Sequence, residues 1–199
     1  MPRLVAWVGK QAGGGSVVKS IIENDENVAY HAARLLLLIS YCGKPRKTQP
    51  AIEGRTLLAK LDFFLRYPVY LMKAAEILHK QLAPLDFGLD GMESSMSVES
   101  RMVRFLYGPW DHIYYPALAY LIGKQLITIE TKRGADVFRI TPLGQEIAHQ
   151  LSQDEAYQDL VRRAETTYTL FNHFSGTRLK DFIYEYFPEV VNRKLGETI

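Results

Sequence analysis

The sequence predicts a mainly α-helical fold that carries one small β-hairpin, and three stretches predict it. Residues 28–41 form a helical run that is apolar on nearly every side, through Ala29, Ala32, Ala33, the leucines at 35–38 and Ile39. Residues 126–131 and 136–140 alternate apolar and polar on either side of Lys132-Arg133-Gly134-Ala135, the pattern of two strands joined by a turn. Thr141-Pro142 then supplies a helix cap and a first-turn proline, and Leu143, Ile147 and Leu151 recur every four residues behind them.

Taken in order, residues 1–27 read as a flexible lead-in with glycines at 13–15 and a polar stretch at 23–27. The Gly9-Lys10 pair precedes those glycines, whereas a phosphate loop needs its lysine and Ser/Thr after them. A helix hydrophobic all round, as at 28–41, belongs at the centre of a core or between packed units. Gly43 and Pro45 stop it, and the basic, proline-flanked stretch 44–50 is expected to be an exposed linker. A second helix is expected at 52–65, with Leu57, Leu58, Leu61, Phe64 and Leu65 on one face, ended by Pro68. A third runs over 69–82, a loop over 84–97, and a short helix over 98–106 that Gly108-Pro109 breaks. The apolar helix at 113–122 tolerates Pro116 because it falls in the first turn.

Helix, hairpin and helix in this order make the latter half of a winged-helix domain, with the hairpin as the wing. Two amphipathic helices follow. One covers 154–171 through Ala156, Leu160, Ala164, Tyr168 and Phe171; the other covers 178–187 through Leu179, Phe182, Ile183 and Tyr186. They lie outside a minimal winged helix and either extend its core or form a dimer or partner surface. The expected fold is thus mainly α with a β-hairpin wing, a winged-helix core with additional helices. It divides into a lead-in (1–27), a winged-helix domain (28–152) with a helical insertion at about 69–107, and a C-terminal helical extension (153–199).

Composition agrees with a globular chain. Of 199 residues, 47% are hydrophobic and 23% charged, and a chain of this size buries roughly 70% of its unfolded surface without a metal or disulfide. The single cysteine, Cys42, excludes an internal disulfide framework and a multi-cysteine zinc site. The N-terminal apolar run is too short for a secretory signal. The run at 32–39 contains Arg34 and falls far short of the roughly 20 residues of a membrane span, so a cytoplasmic protein without membrane contact is expected. Residues 1–60 hold nine Lys/Arg and four Asp/Glu, a net of +5, and residues 61–199 hold fifteen and eighteen, a net of −3. That lean permits a basic patch but falls short of the bias of a dedicated nucleic-acid binder.

Catalytic patterns are missing from the sequence. Its five histidines show no metal-ligand spacing, and it has no nucleophile elbow, dinucleotide fingerprint or phosphate-loop motif. Asp111-His112 is explained by Asp capping the next helix, and Cys42, at the end of an apolar helix, by an inert buried thiol. The expectation is a non-enzyme with no catalytic, cofactor or metal residues. The helix before the wing, which reads bases in DNA-binding relatives, offers Tyr114, Tyr115 and Tyr120 among Ile, Leu and Ala, and its one charge is the terminal Lys124. That chemistry suits a protein interface. Partner contact is therefore expected at Trp110, Tyr114, Tyr115 and Tyr120, or on the C-terminal helices at Tyr184, Tyr186 and Phe187. Candidate DNA-backbone contacts are Lys132 and Arg133 at the wing tip, Arg101 and Arg104, and Lys44, Arg46, Lys47 and Arg55 around the linker. These would give affinity without sequence information. The string 105–110 reads as core plus a tight turn.

Ile52-Glu53-Gly54-Arg55-Thr56 with Leu61-Asp62-Phe63-Phe64-Leu65-Arg66-Tyr67-Pro68 resembles the signature of the middle components of three-component ABC ATPase systems. Glu99-Ser100-Arg101-Met102-Val103-Arg104 followed by Tyr107-Gly108-Pro109-Trp110-Asp111 resembles it as well. Residues 121–127 and Thr141-Pro142-Leu143-Gly144 also fit but are generic to winged helices. The resemblance covers roughly residues 35–190 and leaves the first 27 without a counterpart. In such systems, the Lamassu type of bacterial antiviral defence among them, an SMC-like ATPase senses foreign or abnormal DNA. A small middle subunit binds the ATPase, and an effector, often a nuclease, is held inactive until triggering. The resemblance implies a non-catalytic winged-helix adaptor whose partners are the ATPase and the effector. The other reading the residues allow is a homodimeric winged-helix transcriptional regulator.

Overall fold

The apolar run is a helix, α1 (Val28–Cys42), in the computed structural model, which describes residues 27–46, 49–79, 102–132 and 134–199. The lead-in at 1–26, the end of the third expected helix and the 84–97 loop lie outside the described residues. Asn27 starts α1, its side-chain oxygen accepting from the Ala29 and Tyr30 backbone N–H groups at 3.0 and 3.3 Å. After α1 come β1 (Lys44–Arg46), β2 (Gln49–Glu53), α2 (Arg55–Arg66), α3 (Pro68–Ile77), β3 (Val103–Phe105) and β4 (Gly108–Trp110). The chain continues as α4 (Tyr114–Gly123), β5 (Ile127–Lys132), β6 (Ala135–Ile140), α5 (Pro142–Ser152), α6 (Gln158–Phe171), α7 (Gly176–Tyr186) and α8 (Pro188–Val191). The fold is mainly helical with a small antiparallel sheet in the order β1-β2-β6-β5, beside a separate β3–β4 hairpin.

Helix α1 sits at the centre, packed by α4, α5, α6 and β2. This is why a helix with no polar side is stable here: every face meets another element. The expected C-terminal extension joins the same core. Phe171, Phe182 and Phe187 pack around Phe64 of α2, with Phe64 and Phe171 ring centroids 4.5 Å apart and Phe174 against Phe171 and Phe182, so α6 and α7 extend the core.

Three local expectations are corrected. The 44–50 linker is a hairpin: Lys44 pairs with Ala51 and Arg46 with Gln49, and β2 goes on to pair with β6 through Ile52 and Phe138. Its prolines are compatible with pairing at a sheet edge. The second helix starts at Arg55, three residues later than expected, because Ala51 and Ile52 are drawn into β2 to bury their side chains. Val103–Phe105 is a strand, so Arg104 does not sit on a helix. Its pairing is extended by the chain end, where Val103 bridges Thr198 and the Ile199 N–H donates to the Met102 carbonyl at 2.8 Å. Such non-local pairing overrides local propensity.

The hairpin β5–β6 and the start of α5 follow the sequence closely. Thr141 accepts from the Gly144 N–H at 2.9 Å and donates to the carbonyls of Gln125 and Leu126. A side chain at Gly144 would place its Cβ 2.0 Å from the Leu126 carbonyl oxygen, so only glycine lets α5 press this close to the end of α4.

Candidate functional site

Helix α4 is fixed from beneath by buried charge. Arg34, alone among leucines in α1, must find an anion, and Asp62 on the inner face of α2 supplies it. The Arg34 Nε and second terminal nitrogen donate to the two Asp62 carboxylate oxygens at 2.9 and 3.2 Å, and both side chains are fully buried. The Tyr114 hydroxyl donates to the same carboxylate at 2.8 Å, tying the first turn of α4 to the pair. Burial, and then the Asp62 charge, hold the Tyr114 phenol well above its usual value, so it stays a donor. Arg34 also meets His31 Nδ1 at 2.7 Å. Arg66 reaches Asp111 at 2.7 Å, and the other Asp111 oxygen accepts from the Ile113 N–H at 2.9 Å. Burial alone would raise the Asp111 carboxyl, but Arg66 and the Ile113 N–H outweigh it and hold it below its ordinary value. Asp111 is thus committed to starting α4. Cys42 is buried with its thiol against the Ala164 carbonyl at 3.5 Å, and burial pushes its pKa up, the condition of an inert thiol.

What α4 turns outward is apolar. Tyr115 (55% exposed), Pro116, Ala119, Ile122 and Gly123 form its open face, with Lys124 at the end. The β3–β4 hairpin continues that face, its turn presenting Leu106 (57%) and Tyr107 (60%) beside the exposed Phe105. Trp110 joins the two, its ring centroid 5.8 Å from Phe105 and 6.0 Å from Tyr115. Phe105, Tyr107, Trp110 and Tyr115, together with Arg55, Thr56, Gly108 and Pro109, line an open groove of about 220 Å³. Exposed apolar side chains grouped in this way make this face a candidate interaction surface.

The expected interface residues divide between that surface and the core beneath it. Tyr115 is on the surface, while Tyr184 and Tyr186 are exposed on α7. Tyr120 is half-buried under the Lys124 ammonium. Tyr114, Phe187 and Trp110 are buried and correct the expectation: Tyr114 faces Asp62, Phe187 faces Phe64, and Trp110 backs the groove. Sequence reasoning missed Phe105, Leu106 and Tyr107. The available signal was Tyr107-Gly108, where a turn with φ of +120° at Gly108 projects its neighbours outward.

Of the basic candidates, Arg101, Lys47 and Arg133 lie outside the described residues, and Arg46 is described only in its backbone. Arg55 pairs with Asp136 at 2.6 Å. Arg104 donates to the Val191 carbonyl at 2.9 Å and lies over the Tyr184 ring, joining β3 to the C-terminal helices. Lys44 donates to the Phe174 carbonyl at 3.5 Å, and Lys132 is exposed on β5. Most of the described candidates are thus engaged within the fold.

Among the described residues no group of three or more His, Cys, Asp or Glu side chains could hold a metal ion, and no helix is long and apolar enough to cross a membrane. Comparison with protein-family models, with curated proteins and with solved structures gives no match.

Proposed function

We propose that this chain is a non-catalytic winged-helix adaptor. On this reading it links an SMC-like, DNA-sensing ABC ATPase to an effector such as a nuclease in a bacterial antiviral or anti-plasmid defence complex. Its connectivity supports the winged-helix assignment. Strand β2 lies between α1 and α2 and pairs with β6; α4 precedes the β5–β6 wing. The motifs over residues 35–190 that resemble the middle components of three-component ABC ATPase systems support the assembly.

One observation carries the adaptor role. The wing-preceding helix, which reads the major groove in DNA-binding winged helices, has an outward face of Tyr115, Pro116, Ala119 and Ile122. None of these side chains presents the paired donors and acceptors that discriminate base edges. An aromatic, charge-poor face continuous with exposed Leu106 and Tyr107 matches the core of a protein interface. DNA contact, where it occurs, is to backbone through Lys132 and its basic neighbours, and is weak and salt-dependent.

The test is purification of the tagged protein from its own host at endogenous level, with mass spectrometry of what accompanies it. A coiled-coil ABC ATPase is the expected companion. A lone homodimer that enriches one palindromic sequence contradicts the reading and favours the regulator.

A further inference from the structure

Two places away from the aromatic face hold buried polar groups without partners. One is beside a cavity of about 180 Å³ where the β1–β2 hairpin, α2 and the α6–α7 turn meet. There the Thr167 hydroxyl and the Asn172 side-chain oxygen lack hydrogen bonds, but both atoms are sealed from the cavity and offer a ligand nothing. The other is Lys60. Three cations are buried among the described residues, and two of them meet carboxylates: Arg34 lies 2.9 Å from Asp62, and Arg66 lies 2.7 Å from Asp111. The third, Lys60 of α2, is 3% exposed, and its side chain forms no hydrogen bond or ion pair among the described residues.

The surroundings of Lys60 disfavour its charge. Its Cε lies 3.9 Å from where a Cβ on Gly108 would stand, which places the side chain against β4. Its charged neighbours are Lys180 and Asp181 on α7, and the Asp181 carboxylate already meets the Lys180 ammonium at 3.1 Å. Burial first, then Lys180, therefore lower the Lys60 pKa to about 8, with Asp181 partly offsetting them. At about pH 8 roughly half of this side chain is a neutral amine with a free lone pair, whereas an exposed lysine is almost wholly protonated. Desolvation of this kind is what makes a lysine nucleophilic.

An electrophile that reaches an amine this enclosed must be small and uncharged, and dissolved carbon dioxide is both. We propose that Lys60 is a carbamate site, its neutral amine taking up dissolved carbon dioxide between α2, β4 and α7. The nitrogen lone pair forms a bond to carbon, the π pair of one C=O bond moves onto oxygen, and the nitrogen releases one proton to solvent. The product is an anion with the Lys180 ammonium nearby, so a cation that lacked a carboxylate becomes an anion that has a cation. The modification reverses the charge behind β4, the strand that carries Pro109 and Trp110 of the aromatic groove. It does not depend on what that groove binds.

The test equilibrates the full chain with carbon-13-labelled bicarbonate and its dissolved carbon dioxide at about pH 8. Carbamates are then trapped by O-ethylation with triethyloxonium and mapped by mass spectrometry. A labelled adduct is expected on Lys60, at an occupancy at least about tenfold that of exposed Lys132, because the neutral fractions of the two differ by more than that. The α-amino group, whose ordinary value is also close to 8, serves as the positive control. In carbon-13 spectra of the folded protein, Lys60→Met and Lys60→Arg should each remove one carbamate resonance and leave that of the α-amino group; melting curves check that both variants fold. Loss of the same resonance from the unsubstituted chain in urea is also expected, since unfolding returns Lys60 to an ordinary lysine. Trapping at the α-amino group with none at Lys60 overturns the proposal. So does a Lys60 occupancy no greater than that of Lys132, or a spectrum unchanged in both variants.

Discussion

The α4 surface and the α6–α7 cavity invert each other. At the first, aromatic and aliphatic groups stand in water: Phe105, Leu106, Tyr107, Tyr115 and Ile122 are all exposed. At the second, a hydroxyl and an amide oxygen are sealed from water without partners. Folding alone favours neither arrangement, because it gains by burying apolar surface and by pairing buried polar atoms. A third region, the His31–Arg34–Asp62–Tyr114 network, has its polar atoms buried and paired. The contrast teaches that burial of charge is no sign of function in this chain. A group out of step with its surroundings is the better candidate for a binding role.

Breaking the paired region should have the largest effect. Asp62→Ala leaves the Arg34 guanidinium buried without its carboxylate and frees the Tyr114 hydroxyl. It should cost about 3–5 kcal/mol in urea denaturation. A cost under about 1 kcal/mol would show that the network does not fix α4.

Lys60 gives an intermediate case. It is 3% exposed on α2, and burial first, then Lys180, lower its pKa to about 8, with Asp181 partly offsetting them. The folded state therefore binds this proton less readily than the unfolded chain, where the value is about 10.4. The penalty is fully present below about pH 8 and is relieved as pH rises toward about 10.4. Lys60→Met should stabilise the protein at pH 7 by on the order of 1–2 kcal/mol, an advantage that shrinks over that window. A stability difference independent of pH would locate the effect elsewhere.

The two out-of-step regions should respond in opposite ways. Thr167→Val removes an unpartnered buried hydroxyl and should raise the stability of the free protein by about 1 kcal/mol. Tyr115→Arg should change stability by no more than about 0.5 kcal/mol, since the side chain is exposed, while abolishing co-purification of the ATPase. Were Tyr115→Arg to unfold the chain, the α4 face would be structural and the comparison would collapse.

Much of this architecture is legible from local pattern. The central helix, the β5–β6 hairpin and the Thr141-Pro142 cap depend on periodicity and capping within a few residues, and all three appear close to their expected bounds. The β1–β2 and β3–β4 hairpins were not legible, because each is a short local pair whose further pairing is distant, β2 with 137–139 and β3 with 196–199. Arg34 stands in an apolar helix in the sequence, but only the packing of α1 on α2 shows that Asp62 is its partner. For the candidate surface, an aromatic α4 was visible, yet neighbouring tyrosines have opposite fates. Tyr114 points at Asp62 and Tyr115 at solvent, a difference of one position on a helix whose apolar residues run all round. The cavity left no trace in the sequence, since it depends on how the β1–β2 hairpin, α2 and the α6–α7 turn pack together.

The most direct test of the adaptor account is site-specific photocrosslinking in the native host. A benzophenone amino acid replaces Tyr115 on the α4 face or, as control, exposed Gln153 after α5. The account predicts a crosslink from position 115 to the coiled-coil ABC ATPase and none from position 153. A crosslink from 115 to DNA, or a capture pattern identical at the two positions, would contradict it.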